Sequence, residues 1–192
     1  MSRANNFLDS LDVTTRRNFF KAAALAGIGS AAILKTSSVA ASEGDVKIMN
    51  IALSLEHQAI AAYKAGAALL KDPVLKVAVG FMKQHESHRD ALISTIKQFG
   101  GKPVEPAAKY DVAKLAAENG IKELKTEKDV LELALKLEDG AARAYFSVLP
   151  KLESKEVLKA AVSIMADEAM HTAVLRSALG QDPSPKAFFF GG

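Results

Sequence analysis

The sequence contains no cysteine, and only 6% of its residues are aromatic. The absence of cysteine excludes a disulfide framework, thiolate catalysis, zinc ribbons and cysteine-ligated iron–sulfur clusters. Carboxylates and imidazoles therefore remain as the metal ligands that this chain can offer. Nearly half of the residues are hydrophobic, which is typical of a folded domain with a core. Alanine, leucine, lysine and glutamate dominate, and this mixture favours helix over sheet.

The N-terminal segment lacks a hydrophobic run of the roughly 20 residues that cross a bilayer comfortably. Its apolar stretch extends only from Ala22 to Leu34, directly after the basic patch of Arg16, Arg17 and Lys21. Small residues then lead to a sequence at residues 39–41 that is similar to a processing site.

The segment TRRNFFK, residues 15–21, resembles the twin-arginine export signal, with Phe20 in place of the usual leucine. This resemblance implies that residues 1–41 are a signal peptide and that the protein is exported, already folded, to the bacterial periplasm. The twin-arginine translocation machinery would then be a partner. An uncleaved anchor in the membrane interface is the alternative interpretation.

The remaining chain has no excess of charge of either sign. Five of the 25 basic residues and two of the 22 acidic residues fall within residues 1–41, which leaves 20 of each. The net positive charge of the whole chain therefore comes from the signal segment. The sequence predicts no nucleic-acid partner.

Four long helical patterns follow, over about residues 43–71, 74–99, 127–149 and 154–179. Short turns within each successive pair predict two antiparallel hairpins. The connection over residues 100–125, with a predicted short helix over 111–119, is long enough to cross the whole domain. The sequence thus predicts an all-α fold over residues 42–180, a four-helix bundle of two antiparallel hairpins joined by a long crossover. Residues 181–192 form a separate C-terminal tail.

The two hairpins resemble each other in sequence. LEHQAIAAY in the first hairpin corresponds to LEDGAARAY in the second, and FMKQHESHRDAL corresponds to IMADEAMHTAVL. Three residue types match in order at an offset of 82 or 83 residues: Glu56 with Glu138, Tyr63 with Tyr145, and His88 with His171. This internal repeat predicts a bundle with approximate two-fold symmetry.

Several of the matched residues carry charge at or beside core positions of the helical pattern. Glu168 and His171 are three residues apart, so they share one helix face with the apolar Met165 and Leu175. Buried carboxylates without cations would repel one another and raise each other's pKa. A pair of divalent ions removes this cost, because carboxylates can bridge two metals and each imidazole can complete one coordination sphere. The pattern therefore predicts a metal pair.

One Glu from each of two helices, with Glu-x-x-His from each of the other two, resembles the ligand plan of the ferritin-like di-iron carboxylate family. The second hairpin matches fully, whereas the first has His85 where the family has Glu. The resemblance implies two iron or manganese ions held by six ligands: Glu56, His85, His88, Glu138, Glu168 and His171. Alternatively, His85 does not ligate and Glu86 reaches in through a local helix distortion. The loss of one bridging Glu also leaves a mononuclear or mixed site open.

Further polar residues lie near the expected ligands. Tyr63 and Tyr145 each follow their Glu by two helical turns, so their hydroxyls either bond to a ligand carboxylate or belong to an ordinary core. His57 is expected at the surface or behind the ligands. Asp139 and Asp167 are expected to be solvated neighbours of the ligand positions.

The family resemblance implies redox chemistry with O₂ or peroxide, as either oxidation of Fe(II) or reduction of peroxide. Without cysteine the chain lacks the electron-transfer site of rubrerythrins, so an outside reductant or ferrous iron would supply the electrons. The alternative is a non-enzymatic periplasmic bundle with a structural or degenerate metal site. Such a protein would act through partner binding, with the Phe-rich tail of residues 188–190 as the contact. The oligomeric state stays open, a homodimer included.

Overall fold

The computed structural model describes residues 43–190, so the predicted signal peptide lies outside the described residues. The described chain is all-helical, as the sequence predicts, with five α-helices and no strand between residues 43 and 190. The helices are α1 (Glu43–Gly66), α2 (Val74–Gln98), α3 (Val112–Glu118), α4 (Glu127–Val148) and α5 (Lys155–Ala178). Short 3-10 turns extend α1 and α4 at their C-terminal ends. None of the helices in this range combines the length and apolarity needed to traverse a bilayer.

The four long helices pair as two hairpins, α1 with α2 and α4 with α5. The direction of α4 against α1 follows from two cross-contacts: Tyr63 bonds to Glu138, and Tyr145 bonds to Glu56. Residues later in one helix thus meet residues earlier in the other, so α1 and α4 are antiparallel. Helix α4 therefore runs parallel to α2, as a long crossover requires. The predicted bundle is confirmed.

Local sequence signals fix the helix ends that hold the two hairpins in register. Thr126 and Asp129 form a capping box at the start of α4. Asp45, fully buried in the first turn of α1, accepts hydrogen bonds from the backbone N–H groups of Glu153 and Ser154 at 3.0 and 2.8 Å. Ser154 in turn caps α5. These bonds join the beginnings of α1 and α5.

The crossover, residues 100–125, covers one side of the first hairpin. The side-chain amide of Asn50 donates to the carbonyl of Lys102 at 3.1 Å and accepts from the N–H of Val104 at 2.7 Å. His57 is only 8% exposed, and its Nε2 lies 3.3 Å from the Val104 carbonyl oxygen. The expectation of a surface His57 is therefore wrong, because the crossover covers this face of α1. Helix α3 packs its apolar side against α1 and α4.

Two apolar clusters occupy the bundle, one on each side of a polar layer at mid-height. One cluster includes Leu53, Leu92 and Ile164, and the other includes Leu131 and Leu175. The C-terminal tail folds back onto α4. The ring of Phe190 stacks on Phe146 at a centroid distance of 4.6 Å, and Phe189 meets the edge of Phe190, while Phe188 stays 74% exposed.

Candidate metal centre

The polar layer between the two apolar clusters contains all six predicted ligands. Each is buried, although each carries a charge or an imidazole. The layer draws one carboxylate from α1, two imidazoles from α2, one carboxylate from α4, and a carboxylate with an imidazole from α5: Glu56, His85, His88, Glu138, Glu168 and His171. The structure thus brings together the six residues that the family resemblance implies as ligands.

Helical spacing explains why these side chains converge. His85 and His88 are one turn apart on α2, as are Glu168 and His171 on α5, so each pair faces the interior together. Glu56 projects from α1 between buried Leu53 and Ile60 on the same face. Glu86 belongs to neither of the metal-competent groups of side chains between residues 43 and 190, which is consistent with its rotation away from His85 on the helix.

Glu168 lies at the centre of the layer. The Nδ1 atoms of His88 and His85 lie 3.3 and 3.8 Å from its Oε1, and the Nδ1 atom of His171 lies 3.5 Å from its Oε2. No atom in the described chain makes a hydrogen bond to either carboxylate oxygen of Glu168, and Nδ1 of His88 is also without one. The close approach of His88 to Glu168 is not aligned as a hydrogen bond. Buried polar atoms left in this state are costly unless a ligand satisfies them.

Each imidazole directs its other nitrogen, Nε2, to an oxygen acceptor. Nε2 of His85 lies 3.1 Å from Oε1 of Glu138, and Nε2 of His88 lies 3.1 Å from Oδ2 of Asp167. Nε2 of His171 contacts the side-chain oxygen of Gln84. Because carboxylate and amide oxygens accept, these nitrogens donate. The Nδ1 atoms face the carboxylates of the layer, with that of His85 2.8 Å from Oε2 of Glu56 and that of His171 3.3 Å from Oε2 of Glu138.

Asp167 and Gln84 therefore orient histidines of the opposite hairpin. The expectation that Asp167 is only solvated is wrong, because it faces His88 across the α2–α5 interface. No motif in the sequence singles out Gln84. The signal that could have identified both residues is the repeat offset of 83, which aligns Gln84 with Asp167. Asp139 instead pairs with Arg143 along the outside of α4, with 2.7 Å between its Oδ2 and the Arg143 Nε.

The two tyrosines also reach across between the hairpins. Tyr145 donates its hydroxyl hydrogen to Oε1 of Glu56 at 3.0 Å, and Tyr63 donates to Oε1 of Glu138. Burial, and then the neighbouring carboxylates, raise the pKa of both phenols well above the usual value, so both stay protonated donors. Each tyrosine therefore positions the carboxylate of the other hairpin.

The electrostatics of the layer separate the carboxylates into two kinds. Burial opposes ionisation of Glu56 and Glu138, but hydrogen bonds from the surrounding side chains outweigh it and lower the pKa of both. Burial and the proximity of Glu138 instead raise the pKa of Glu168. Burial opposes protonation of the two α2 imidazoles. The facing carboxylates outweigh that effect and raise the pKa of His85 to about 11 and that of His88 to about 10.

Two overlapping groups of four side chains present ligand atoms within 4.8 Å of one another. The first group is Glu56, His85, His88 and Glu168, and the second is His85, Glu138, Glu168 and His171. Donor–donor distances measured in the first group run from 2.8 to 3.8 Å. Ligands about 2.1 Å from one ion in tetrahedral or octahedral geometry are about 3 to 3.4 Å apart. The donor set and its spacing fit divalent metal ions.

A cavity of about 280 Å³ reaches this layer from the side of α1 and α4. Its inner wall includes Glu56, His85, Glu138 and Glu168, and its outer part includes Gly140. No atom lies within 4 Å of the position that a Cβ of Gly140 would take. Small molecules can therefore reach the carboxylates from one side of the bundle.

An all-helical bundle with three carboxylates and three imidazoles in its buried layer defines a class of protein, the ferritin-like carboxylate proteins. Residues 44–181 match the family model of the ferritin-like domain, and the chain belongs to this family. A crystal structure of a conserved hypothetical protein from Mycobacterium tuberculosis is similar in fold, with a TM-score of 0.64. It is 24% identical in sequence, and the match covers 76% of this chain and 96% of that chain. No curated protein sequence matches the chain.

Proposed function

We propose that this chain is an exported redox protein whose polar layer holds two iron or manganese ions. The proposed reaction is either the reduction of O₂ or peroxide or the oxidation of Fe(II) as substrate. The observation that carries the proposal is the convergence of three Nδ1 atoms on Glu168, whose two oxygens make no hydrogen bond within the described chain.

The residues of the layer fit such ions by number, charge and chemistry. Three carboxylates and three neutral imidazoles are donors that iron and manganese accept. Bound iron or manganese would supply electrons to an oxygen species at positions that the protein leaves open. The protein itself supplies the donors, holds their orientation and limits the access of water.

Hydrogen bonds across the two hairpins hold the donors in place. Asp167 and Gln84 fix the ring orientation of His88 and His171, and this kind of support typically changes metal affinity by about 10- to 100-fold. The two tyrosine hydroxyls fix Glu138 and Glu56 and keep a proton close to each carboxylate. The apolar clusters above and below exclude water, so a small oxidant would enter through the α1–α4 cavity.

A metal analysis of the full chain tests the proposal directly. We expect about two equivalents of iron or manganese per chain after loading, and a loss of at least one equivalent in a Glu138→Ala variant. Asp139→Ala is the matched control, because this neighbour points to the outside of α4. After anaerobic loading with Fe(II), addition of O₂ or peroxide should oxidise the iron, seen as an absorption change. A folded chain that binds no metal under these conditions would reject the redox proposal.

A non-enzymatic role through partner binding is the second candidate, and the tail favours it. Phe188 is exposed, while the two phenylalanines that follow it anchor the tail on α4, with the Arg143 guanidinium 5.7 Å from the centroid of the Phe189 ring. A protein with this role would keep its metal-free fold and would lose its partner on Phe188→Ser substitution. Metal content and oxidant reactivity distinguish the two candidates.

A further inference from the structure

We infer that the two metal positions are unequal and fill in order. The first ion binds tightly among Glu56, His85, His88 and Glu168, and the second binds more weakly between Glu138, Glu168 and His171. This inference rests on the proposed function, because it assumes that the layer binds metal at all. It adds to the proposed function the order in which the two ions bind, and it predicts that the ion at the second position exchanges readily.

The argument begins with His85, which both groups of four side chains share. A neutral imidazole has a single lone pair, so one His85 ring serves one metal ion at a time. Its Nδ1 lies 2.8 Å from Oε2 of Glu56 and 3.8 Å from Oε1 of Glu168. Its Nε2 is already placed 3.1 Å from Oε1 of Glu138 as a hydrogen-bond donor. His85 therefore belongs to the first position and donates a hydrogen bond to a ligand of the second.

The oxygens of Glu168 divide in the same way. Oε1 is the oxygen near the Nδ1 atoms of His85 and His88, whereas Oε2 is the oxygen near Nδ1 of His171. The first position thus collects four protein donors, one each from Glu56, His85, His88 and Glu168. The second position collects three, one each from Glu138, Glu168 and His171. Glu138 also accepts hydrogen bonds from both Tyr63 and His85 on its Oε1, which leaves only Oε2, 3.3 Å from Nδ1 of His171, for a metal.

The groups that accept hydrogen bonds from His88 and His171 add to the difference in affinity between the two positions. His88 donates to the carboxylate of Asp167, whereas His171 donates to the neutral amide oxygen of Gln84. A carboxylate behind an imidazole makes it a stronger ligand and brings a negative charge towards the ion. Since the loss of one such support typically costs about 10- to 100-fold, a missing ligand and a missing charge together predict dissociation constants at least about 100-fold apart.

Titration of the metal-free full chain with Mn(II) and with Co(II) tests the inference, using calorimetry and the visible absorption of bound Co(II). We expect two separate steps, with the second at least about 100-fold weaker. An excess of Mn(II) should then displace one Co(II) per chain quickly and the other slowly. Two steps of equal affinity would overturn the inference and leave the proposed function standing. No binding at all would overturn both.

The internal repeat offers matched variants. His88→Ala should abolish the tight step, whereas His171→Ala should retain it and abolish the weak step, with helical content checked by circular dichroism. Two milder variants test the same assignment in case an alanine variant does not fold. Asp167→Asn should weaken the first step about 10-fold or more and leave the second, while Gln84→Glu should strengthen the second. The opposite pattern, with the tight step lost in His171→Ala and kept in His88→Ala, would refute the assignment.

Discussion

Glu168→Gln offers a sharp test of the metal centre, because it separates stability from metal binding. Glu168 is 0% exposed, and neither of its carboxylate oxygens accepts a hydrogen bond within the described chain. Its raised pKa means that ionised Glu168 opposes folding of the metal-free protein. A buried polar group without its hydrogen bonds costs about 1–3 kcal/mol. The isosteric amide removes the charge and can donate to the neighbouring carboxylate of Glu138, so it should recover much of this cost.

For a chain of this length, 1 kcal/mol corresponds to about 2–4 °C in melting temperature. We therefore expect metal-free Glu168→Gln to melt roughly 2–12 °C above metal-free wild type. Added Mn(II) should reverse the order, since a ligand that binds the native state raises its stability in proportion to ln(1 + [L]/Kd). Thermal unfolding followed by circular dichroism, with chelator or with Mn(II), measures both effects.

Glu86→Gln is the control for this experiment, because Glu86 lies on the same helix as His85 but in neither metal-competent group. It should leave the melting temperature and the metal content unchanged. The reasoning would be refuted if metal-free Glu168→Gln were markedly less stable than wild type, or if it still bound two ions. Loss of metal in Glu86→Gln would show that the sequence alternative, with Glu86 as a ligand, is the correct one.

Three further outcomes are expected. The pKa values of the α2 histidines are raised to about 11 and about 10, so their stabilisation of the metal-free fold is complete below about pH 6.5 and is lost as the pH rises through those values. Metal must displace these protons, so calorimetry in different buffers should show proton release and tighter binding at pH 8 than at pH 6. Gly140→Leu should fill the α1–α4 cavity and slow the reaction with peroxide without loss of metal; equal slowing by Gly80→Leu, which lies outside that cavity, would contradict this. Arg16→Lys with Arg17→Lys should retain the precursor in the cytoplasm, and normal export on cell fractionation would reject the twin-arginine interpretation.

Local signals made the helices and the gathering of the six polar residues predictable from the sequence. Helix ends carry their own chemistry, as the capping box at Thr126 and Asp129 shows. The spacing of three residues between Glu168 and His171 fixes their common face without knowledge of the tertiary structure. The repeat then indicates that the first hairpin places Glu56 and His88 in the equivalent way.

Features that depend on contacts between distant segments were not predictable in this way. The path of the crossover decides that His57 is buried, and no pattern within α1 encodes that path. The position of Asp167 beside His88 depends on how α2 and α5 are rotated against each other. A residue one position before a ligand points about 100° away from that ligand around the helix. From the sequence alone such a residue is expected to face solvent, and only the position of a neighbouring helix shows that it is covered.

The departures of the first hairpin from the second act in the same direction. At the repeat offset of 83, Gln84 and His85 align with Asp167 and Glu168, so two carboxylates of one hairpin correspond to an amide and an imidazole of the other. The imidazole keeps one donor beside Glu56, whereas on the side of Glu138 it offers a hydrogen-bond donor in place of the oxygen of a bridging carboxylate. The amide leaves the histidine on that same side without a charged support. Both changes therefore weaken the position at Glu138 and His171 relative to the position at Glu56 and His88. A double variant, Gln84→Asp with His85→Glu, should bring the two affinities together.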